Sequence, residues 1–548
     1  MKFIGFHIDM NIGQFRRDYL EKHLVELKDA GYNAIIWEIE NNVRWESCPE
    51  CVSPEAFSKE EFREILKFSL ELGFENIPLL QVLGHAEYVL KHERYALMRE
   101  LPDEVSQYCP LYSGIGDWFR RWIREYLDLF GSVRFFHLGL DEAWFLGRCP
   151  KCRDYAARHG TGTLFFDHVN RILELIPKRV RPMMWADMVL RHPECLEKLD
   201  RRVLLLDWNY EGYDGREDVY FWEYHDWRTS AQFTETEFRR YGNALSPRGV
   251  ESGRTPNPFF TADYLTEHGF QVVHCPSSAS GSDNVFAPRH VLHFRNTYSQ
   301  FQAGKKHMGT ILTSWTLRIH PWELQELSIQ VPRFLKAHPA LSLEQCEKKF
   351  EQDYFGLETD KFAYACSLLS PSVPFASDTS LGFGKHTFMV DPGHIRRKMQ
   401  QFRYDSRISS QTALAAQRKK ECEKAVRLFS ELVREAKLHR DVMQLHLNAA
   451  KQLELRAETS LFLLNNYEYI IAGTVLPDSL RGEAERLLKK NKAAKTHFIR
   501  QYLKCWKKTR TRECASWIFD SIIEALLALC GDRRISGRTR GRIVCRTI

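Results

Sequence analysis

The first 340 residues carry a rhythm that few folds satisfy: short β-branched or apolar runs alternate with longer runs of helical period. The short runs are Phe3–Ile8, Asn33–Ile39, Asn76–Val82, Val133–Gly139, Val180–Trp185, Val203–Trp208, Phe270–His274 and Met308–Thr313. Amphipathic stretches such as Phe15–Ala30, Lys59–Leu72, Trp118–Phe130 and Leu164–Ile176 lie between most of them. Strands separated by helices make parallel sheets, and eight is the number that closes into a barrel. An open doubly wound sheet is the alternative, but no G-x-G-x-x-G follows the first strand. The expected fold class is therefore α/β, a (β/α)8 TIM barrel over residues 1–340.

Beyond residue 340 the rhythm stops. Turn residues at 370–374 and 382–384 mark 341–390 as a connecting segment. Thr412–Leu438, Leu445–Asn466, Ser479–Lys507 and Ala515–Leu529 then have helical period, so a mostly α-helical C-terminal domain is expected over 391–531. Residues 532–548 hold six arginines and little apolar material, and are expected to form a basic tail. The net charge of +7 is unevenly divided: residues 391–548 hold 33 Lys+Arg against 17 Asp+Glu, which leaves 45 against 54 in the first 390. No nucleic-acid motif accompanies the basic helices, so they are read as a solvated face or a subunit contact, a homodimer for example. With 44% apolar residues the chain is not globally disordered, and no apolar run reaches the length of a membrane span. Only Phe-Ile-Gly-Phe separates Lys2 from His7, too little for an apolar leader. A cytoplasmic location with reduced thiols is expected.

In such a barrel the chemistry sits at the C-terminal ends of the strands. Here those ends are polar or aromatic: His7-Ile-Asp9, Glu38-Ile-Glu40, Gln81 with His85, His137-Leu-Gly139-Leu-Asp141-Glu142, Trp185-Ala-Asp187, Trp208-Asn-Tyr210 and Ser314-Trp315. Strand side chains alternate, so His7 shares a face with Asp9, Glu38 with Glu40, and His137 with Asp141. One buried acid or imidazole is usually a satisfied structural group; the same pattern at seven of eight strand ends argues for a site. Carboxylates with indoles suit sugars, because indoles cover pyranose C–H faces and carboxylates grip hydroxyls and transfer protons. Two classical glycosidase carboxylates flank the bond from opposite sides. Adjacent Asp141 and Glu142 stand on one side, which suits a substrate that supplies its own nucleophile.

His137-Leu-Gly-Leu-Asp141-Glu142 resembles the H-x-G-x-D-E signature of glycoside hydrolase family 20, the β-N-acetylhexosaminidases, and of these the hexosaminidase D-like branch most. The resemblance runs over about residues 3–335. It includes Gln81-Val-Leu-Gly-His85-Ala-Glu87, Trp185-Ala-Asp-Met188, Asp207-Trp-Asn-Tyr210, Thr313-Ser-Trp315 and Glu326-Leu. It implies a retaining exo-enzyme for terminal β-linked GlcNAc or GalNAc, acting on amino-sugar glycosides without a catalytic cofactor. The substrate acetamide would attack the anomeric carbon to give an oxazolinium intermediate. By position, Glu142 is the general acid and base, Asp141 stabilises the acetamide cation, and Tyr210 orients the acetamide oxygen. Trp185, Trp208 and Trp315 are expected as aromatic walls. His85 and His137 are expected to hold the acids, with Asp9, Glu40 and Glu326 on sugar hydroxyls. Many relatives carry an Arg near the end of the first strand; here none occurs before Arg16.

Cys48-Pro-Glu-Cys51 and Cys149-Pro-Lys-Cys152 are both C-P-x-C, a knuckle that presents two thiolates to one zinc. A shared structural zinc on Cys48, Cys51, Cys149 and Cys152 is one reading, and two ordinary thiol pairs the other. Three other readings of the whole chain compete: a carbohydrate-binding barrel with altered catalysis, a zinc-containing scaffold or nucleic-acid binder using the basic helices, and a glycosidase of another family with Glu38 or Glu40 as nucleophile.

Overall fold

The computed structural model describes residues 2–11, 14–223, 226–245, 256–316, 320–375 and 393–531. The eight expected strands all form: β1 Phe3–Asp9, β2 Ala34–Glu38, β3 Glu75–Leu79, β4 Phe135–His137, β5 Arg181–Trp185, β6 Leu204–Trp208, β7 Gln271–Cys275 and β8 Gly309–Ser314. Each is the parallel neighbour of the next, and β8 returns to pair with β1 from Phe3↔Gly309 to Ile8↔Ser314. The sheet is a closed barrel.

Helices take the places between strands for local reasons. Lys59–Glu71 opens on a capping box, in which Ser58 accepts the Glu61 N–H and Glu61 reaches back to the Ser58 N–H. Ile115–Phe130 turns Trp118, Phe119, Trp122, Ile123, Tyr126 and Leu129 inward, at spacings of one helical face. Two-residue alternation divides each strand between two cores. One set, including Ile36, Leu79, Met183, Leu206 and Ile311, fills the barrel lumen. The other, including Phe6, Ile35, Trp37 and Leu205, packs against the helices. At the upper strand ends the inward alternation continues, but in His7, Glu38 and His137, all buried. The apolar lumen therefore has a polar lid, and this lid positions the site.

The segment expected as a connector, 341–390, holds two helices, Leu343–Phe355 and Lys361–Leu369. The first is capped by Ser342 with Gln345 and ends at Gly356, whose φ of +66° only glycine adopts without strain. Both are too short for their period to stand out beside longer neighbours. Long helices Ile408–Glu435, Arg440–Asn465, Asp478–Tyr502 and Lys508–Cys530 follow. The Gly382–Gly384 turn and the 532–548 tail lie outside the described residues.

Barrel and helices share one apolar cluster that runs from Phe6 to Leu527. Phe15 stacks on Trp506 with ring centres 5.7 Å apart, and Phe286 meets Phe498 at 5.9 Å. The Lys507 N–H donates to the Gln14 carbonyl at 2.8 Å, just beyond β1. Among the described residues no helix is long and apolar enough to cross a membrane.

Candidate active site

The polar lid is a chain of hydrogen bonds. His7 Nε2 lies 2.9 Å from Glu38 Oε2, and the Gln81 amide donates to Glu38 Oε1 at 2.9 Å. Trp185, the last residue of β5, is fully buried beneath them, with His137 at 4.5 Å and Trp315 at 5.8 Å between ring centres. Trp185 was expected as a wall; its inward position at the strand end makes it the floor. His137 accepts the Gly139 N–H at Nδ1, and burial, then His7, push it well below its usual range. It is a neutral strut and touches neither acid.

Asp141 and Glu142 come together with His85. His85 Nε2 is 3.2 Å from Asp141 Oδ2 and 3.4 Å from Glu142 Oε2. Burial works against charge on His85, but Asp141 and then Glu142 outweigh it and hold the imidazole well above its usual range. His85 thus bridges the two acids, and its charged form is favoured there. Asp141 Oδ1 is buried without a hydrogen-bond partner among the described residues. Glu142 accepts the Trp222 indole N–H at Oε1 at 2.7 Å, and its own N–H donates to Asp187 Oδ2 at 2.9 Å.

The backbone here departs from strand geometry. Glu40, His85, Leu140 and Glu142 all have positive φ, between 37° and 74°. Such conformations cost about 1–3 kcal/mol each and persist where surrounding structure enforces them, often at functional sites. One enforcing contact is Gly84, where a Cβ would stand 2.3 Å from the Asp141 carbonyl oxygen. Only glycine lets the two strand-end loops approach so closely.

Aromatic rings line one side. Tyr210 stacks on Trp208 at 5.2 Å, and its hydroxyl accepts the Trp315 indole N–H at 2.8 Å. Trp222 and Trp227 complete the wall, 5.5 and 5.7 Å from Trp208. They come from a hairpin, Tyr220–Glu223 against Asp226–Thr229, within the long stretch after β6. The length of the stretch from Trp222 to Tyr264 is compatible with a cover over the site or a contact surface, but gives neither ring an individual role, because length does not show which side chains turn toward the mouth. Asp187 was legible as a strand end but not as a partner of Glu142. Burial and then Asp141 push its carboxyl well above the ordinary range.

The remaining acids are differently placed. Both Asp9 oxygens are engaged, Oδ1 by the Asn11 N–H and Oδ2 by the N–H and hydroxyl of Thr316, and burial with Glu38 pushes the carboxyl up to about 6. Glu40 is buried; burial first, then Glu38 and Asp9, push it well above the carboxylate range. Glu326 is not with the mouth residues. It accepts from Gln330 at 2.7 Å and shares its surroundings with Glu26, Glu323 and Lys22, because it sits on a helix after β8 that packs outside the barrel. Arg16 pairs with Asp18 on the surface.

The two C-P-x-C pairs do not form one cluster. Cys48 and Cys51 fold on themselves, the Cys51 thiol donating to the Cys48 carbonyl at 3.0 Å. Tyr95 and Tyr108, from the segment after β3, interact with this pair. Cys149 and Cys152 are grouped instead with Cys109 and Glu100.

No known family model matches the chain. Hexosaminidase D from Bos taurus is 28% identical over 194 residues, 34% of this chain and 56% of that protein. Hexosaminidase D from Homo sapiens is 27% identical over 194 residues, 34% of this chain and 40% of its own length. The chain thus spans about half the length of the curated relatives it matches. Among solved structures, a chitobiase from Flavobacterium johnsoniae aligns over 95% of this chain and 77% of its own at 13% identity and a TM-score of 0.45. An N-acetyl-β-hexosaminidase from Streptomyces plicatus aligns over 68% and 71% at the same identity and score.

Proposed function

We infer that this hexosaminidase D-like chain is a glycoside hydrolase, an exo-β-N-acetylhexosaminidase acting with retention through participation of the substrate's own acetamide. One observation carries the reading: Asp141 and Glu142 are joined by a single imidazole at 3.2 and 3.4 Å, with one Asp141 oxygen buried and unpaired. An unpaired buried carboxylate oxygen is unfavourable unless a donor arrives, and the acetamide N–H of an amino sugar is such a donor. The cation that develops on that nitrogen is then stabilised by a charge already in place. Glu142, its side chain 20% exposed, lies at the edge of the mouth, where its protonated form donates to the leaving-group oxygen and its carboxylate then acts as base. Tyr210 accepts from Trp315 and keeps one hydroxyl proton that can be donated to the acetamide oxygen.

A protein nucleophile has weaker support. It must be ionised and free to attack, yet both oxygens of Glu38 are engaged, by His7 and by the Gln81 amide, and burial with Glu38 and Asp9 disfavours the charged form of Glu40. Aryl β-GlcNAc, β-GalNAc and β-glucoside compared side by side test the reading. Wild type is expected to cleave the acetamido sugars only, and Glu142→Gln to lose about 10²–10⁴ in rate on glycosides with poor leaving groups. Equal turnover of the β-glucoside, or a folded Glu142→Gln enzyme with wild-type rates, would overturn it.

A further inference from the structure

Three cysteines and one glutamate meet beside the acid-bearing loop, from two separated stretches of chain. Cys109 ends the hairpin Arg99–Leu101/Glu104–Tyr108 that follows β3. Its Sγ lies 3.7 Å from Cys149 Sγ and 3.5 Å from Cys152 Sγ. Four ligands around zinc with bonds near 2.3 Å have sulfur atoms about 3.8 Å apart in a tetrahedron, so this spacing needs almost no adjustment. None of these sulfurs is in a disulfide.

Glu100 supplies the fourth corner. One oxygen accepts the backbone N–H of Arg148 at 2.7 Å and of Cys149 at 3.0 Å. The other is buried and has no hydrogen-bond partner among the described residues, in a side chain 1% exposed. A buried carboxylate oxygen left unpaired is destabilising, and a cation would satisfy it. All four ligand atoms lie within 4.8 Å of one another. Cys149 is also the N-cap of the helix Pro150–His159, its sulfur accepting the Cys152 N–H at 3.3 Å.

The geometry points to a closed structural zinc site made by Cys109, Cys149, Cys152 and Glu100. Three thiolates and a carboxylate fill a tetrahedron and leave no position for a catalytic water. The ion ties the hairpin after β3 to the loop after β4, starting four residues beyond Phe145, whose N–H already donates to Gln107 Oε1 on that hairpin at 2.9 Å. It is a clasp on the loop that carries Glu142, and takes no part in sugar binding. Cys48 and Cys51 are outside it.

Metal content of the full chain, purified without chelator or added metal, is the first measurement. About one zinc per chain is expected in wild type and in Cys48→Ser, and its loss in Cys109→Ser. A second buried group, His290, Cys366 and His446, is also within ligand distance, so content alone does not assign the ion. Cobalt exchanged into the wild-type protein reads the ligands directly and does not depend on a variant that folds. Tetrahedral visible bands with thiolate-to-cobalt charge transfer are expected, and Glu100→Gln should shift the visible bands while leaving the charge transfer. A metal-free wild type, zinc retained in folded Cys109→Ser, zinc lost from Cys48→Ser, or cobalt bands without thiolate charge transfer would each overturn the assignment.

Discussion

Replacing Asp141 by Asn removes one charge and little volume, so it isolates the electrostatic part of the proposed mechanism. A carboxylate oxygen at hydrogen-bond distance, about 3 Å, from a full positive charge gains roughly 5–6 kcal/mol at an effective dielectric constant of about 20. In the ground state the same oxygen meets a neutral acetamide N–H, worth about 1.5–3 kcal/mol with a charged acceptor. The difference, about 2–4 kcal/mol, is made only as the oxazolinium forms, and corresponds to roughly 30- to 1000-fold in kcat. Asn keeps a carbonyl acceptor, so KM should change only a few-fold. The substitution also changes pH dependence. His85 is held well above its usual range by Asp141 foremost, against burial, and 3.2 Å separates them. With Asp141 neutral that support weakens, so the imidazolium deprotonates at lower pH, and the alkaline limb of kcat/KM should move towards acid. The assay is steady-state hydrolysis of an aryl β-N-acetylglucosaminide across pH, with circular dichroism to check folding. A folded Asp141→Asn enzyme whose KM rises while kcat stays within a few-fold would refute the reasoning.

Tyr210→Phe should lower kcat about 10–100-fold on acetamido sugars, through the lost donor to the acetamide oxygen; unchanged kcat would remove Tyr210 from the mechanism. Gly84→Ala forces a Cβ to 2.3 Å from the Asp141 carbonyl oxygen and should cost about 1–3 kcal/mol of stability with at least tenfold in activity. Gly116→Ala, on an open face of Ile115–Phe130, should do neither, and similar behaviour of the two variants would dismiss the close approach as a constraint. Glu326 is pushed up to about 8 by burial, so in the folded chain its ionisation is a penalty that grows as pH rises from the ordinary carboxylate value of 4.5 and is complete above about 8. Glu326→Gln should therefore raise stability by roughly 3–5 kcal/mol above that pH and by little below about pH 5. A thermal shift independent of pH would show that Glu326 is not held in an apolar setting.

The sequence alone determined the barrel, because each strand is a local event. A buried parallel strand is a short β-branched run, its companion helix has its own period and caps, and eight such units have few ways to close. All eight strands formed within a few residues of their expected bounds, from Phe3–Asp9 to Gly309–Ser314. Asp141 and Glu142 were legible for the same reason: they sit at a strand end within one ordered motif. What only the tertiary structure decided depends on contacts between residues far apart in sequence. His85 joins both acids because two loops cross at Gly84. Trp222 reaches Glu142 from a hairpin 80 residues away. Cys149 and Cys152 take Cys109 and Glu100, from the hairpin after β3, as neighbours rather than Cys48 and Cys51. Glu326, expected on sugar hydroxyls, lies instead near Glu26, Glu323 and Lys22, on a helix that follows β8. Periodicity records which face of an element is buried, but not which distant element buries it, and the charge, pairing and protonation of a site are set by that second fact.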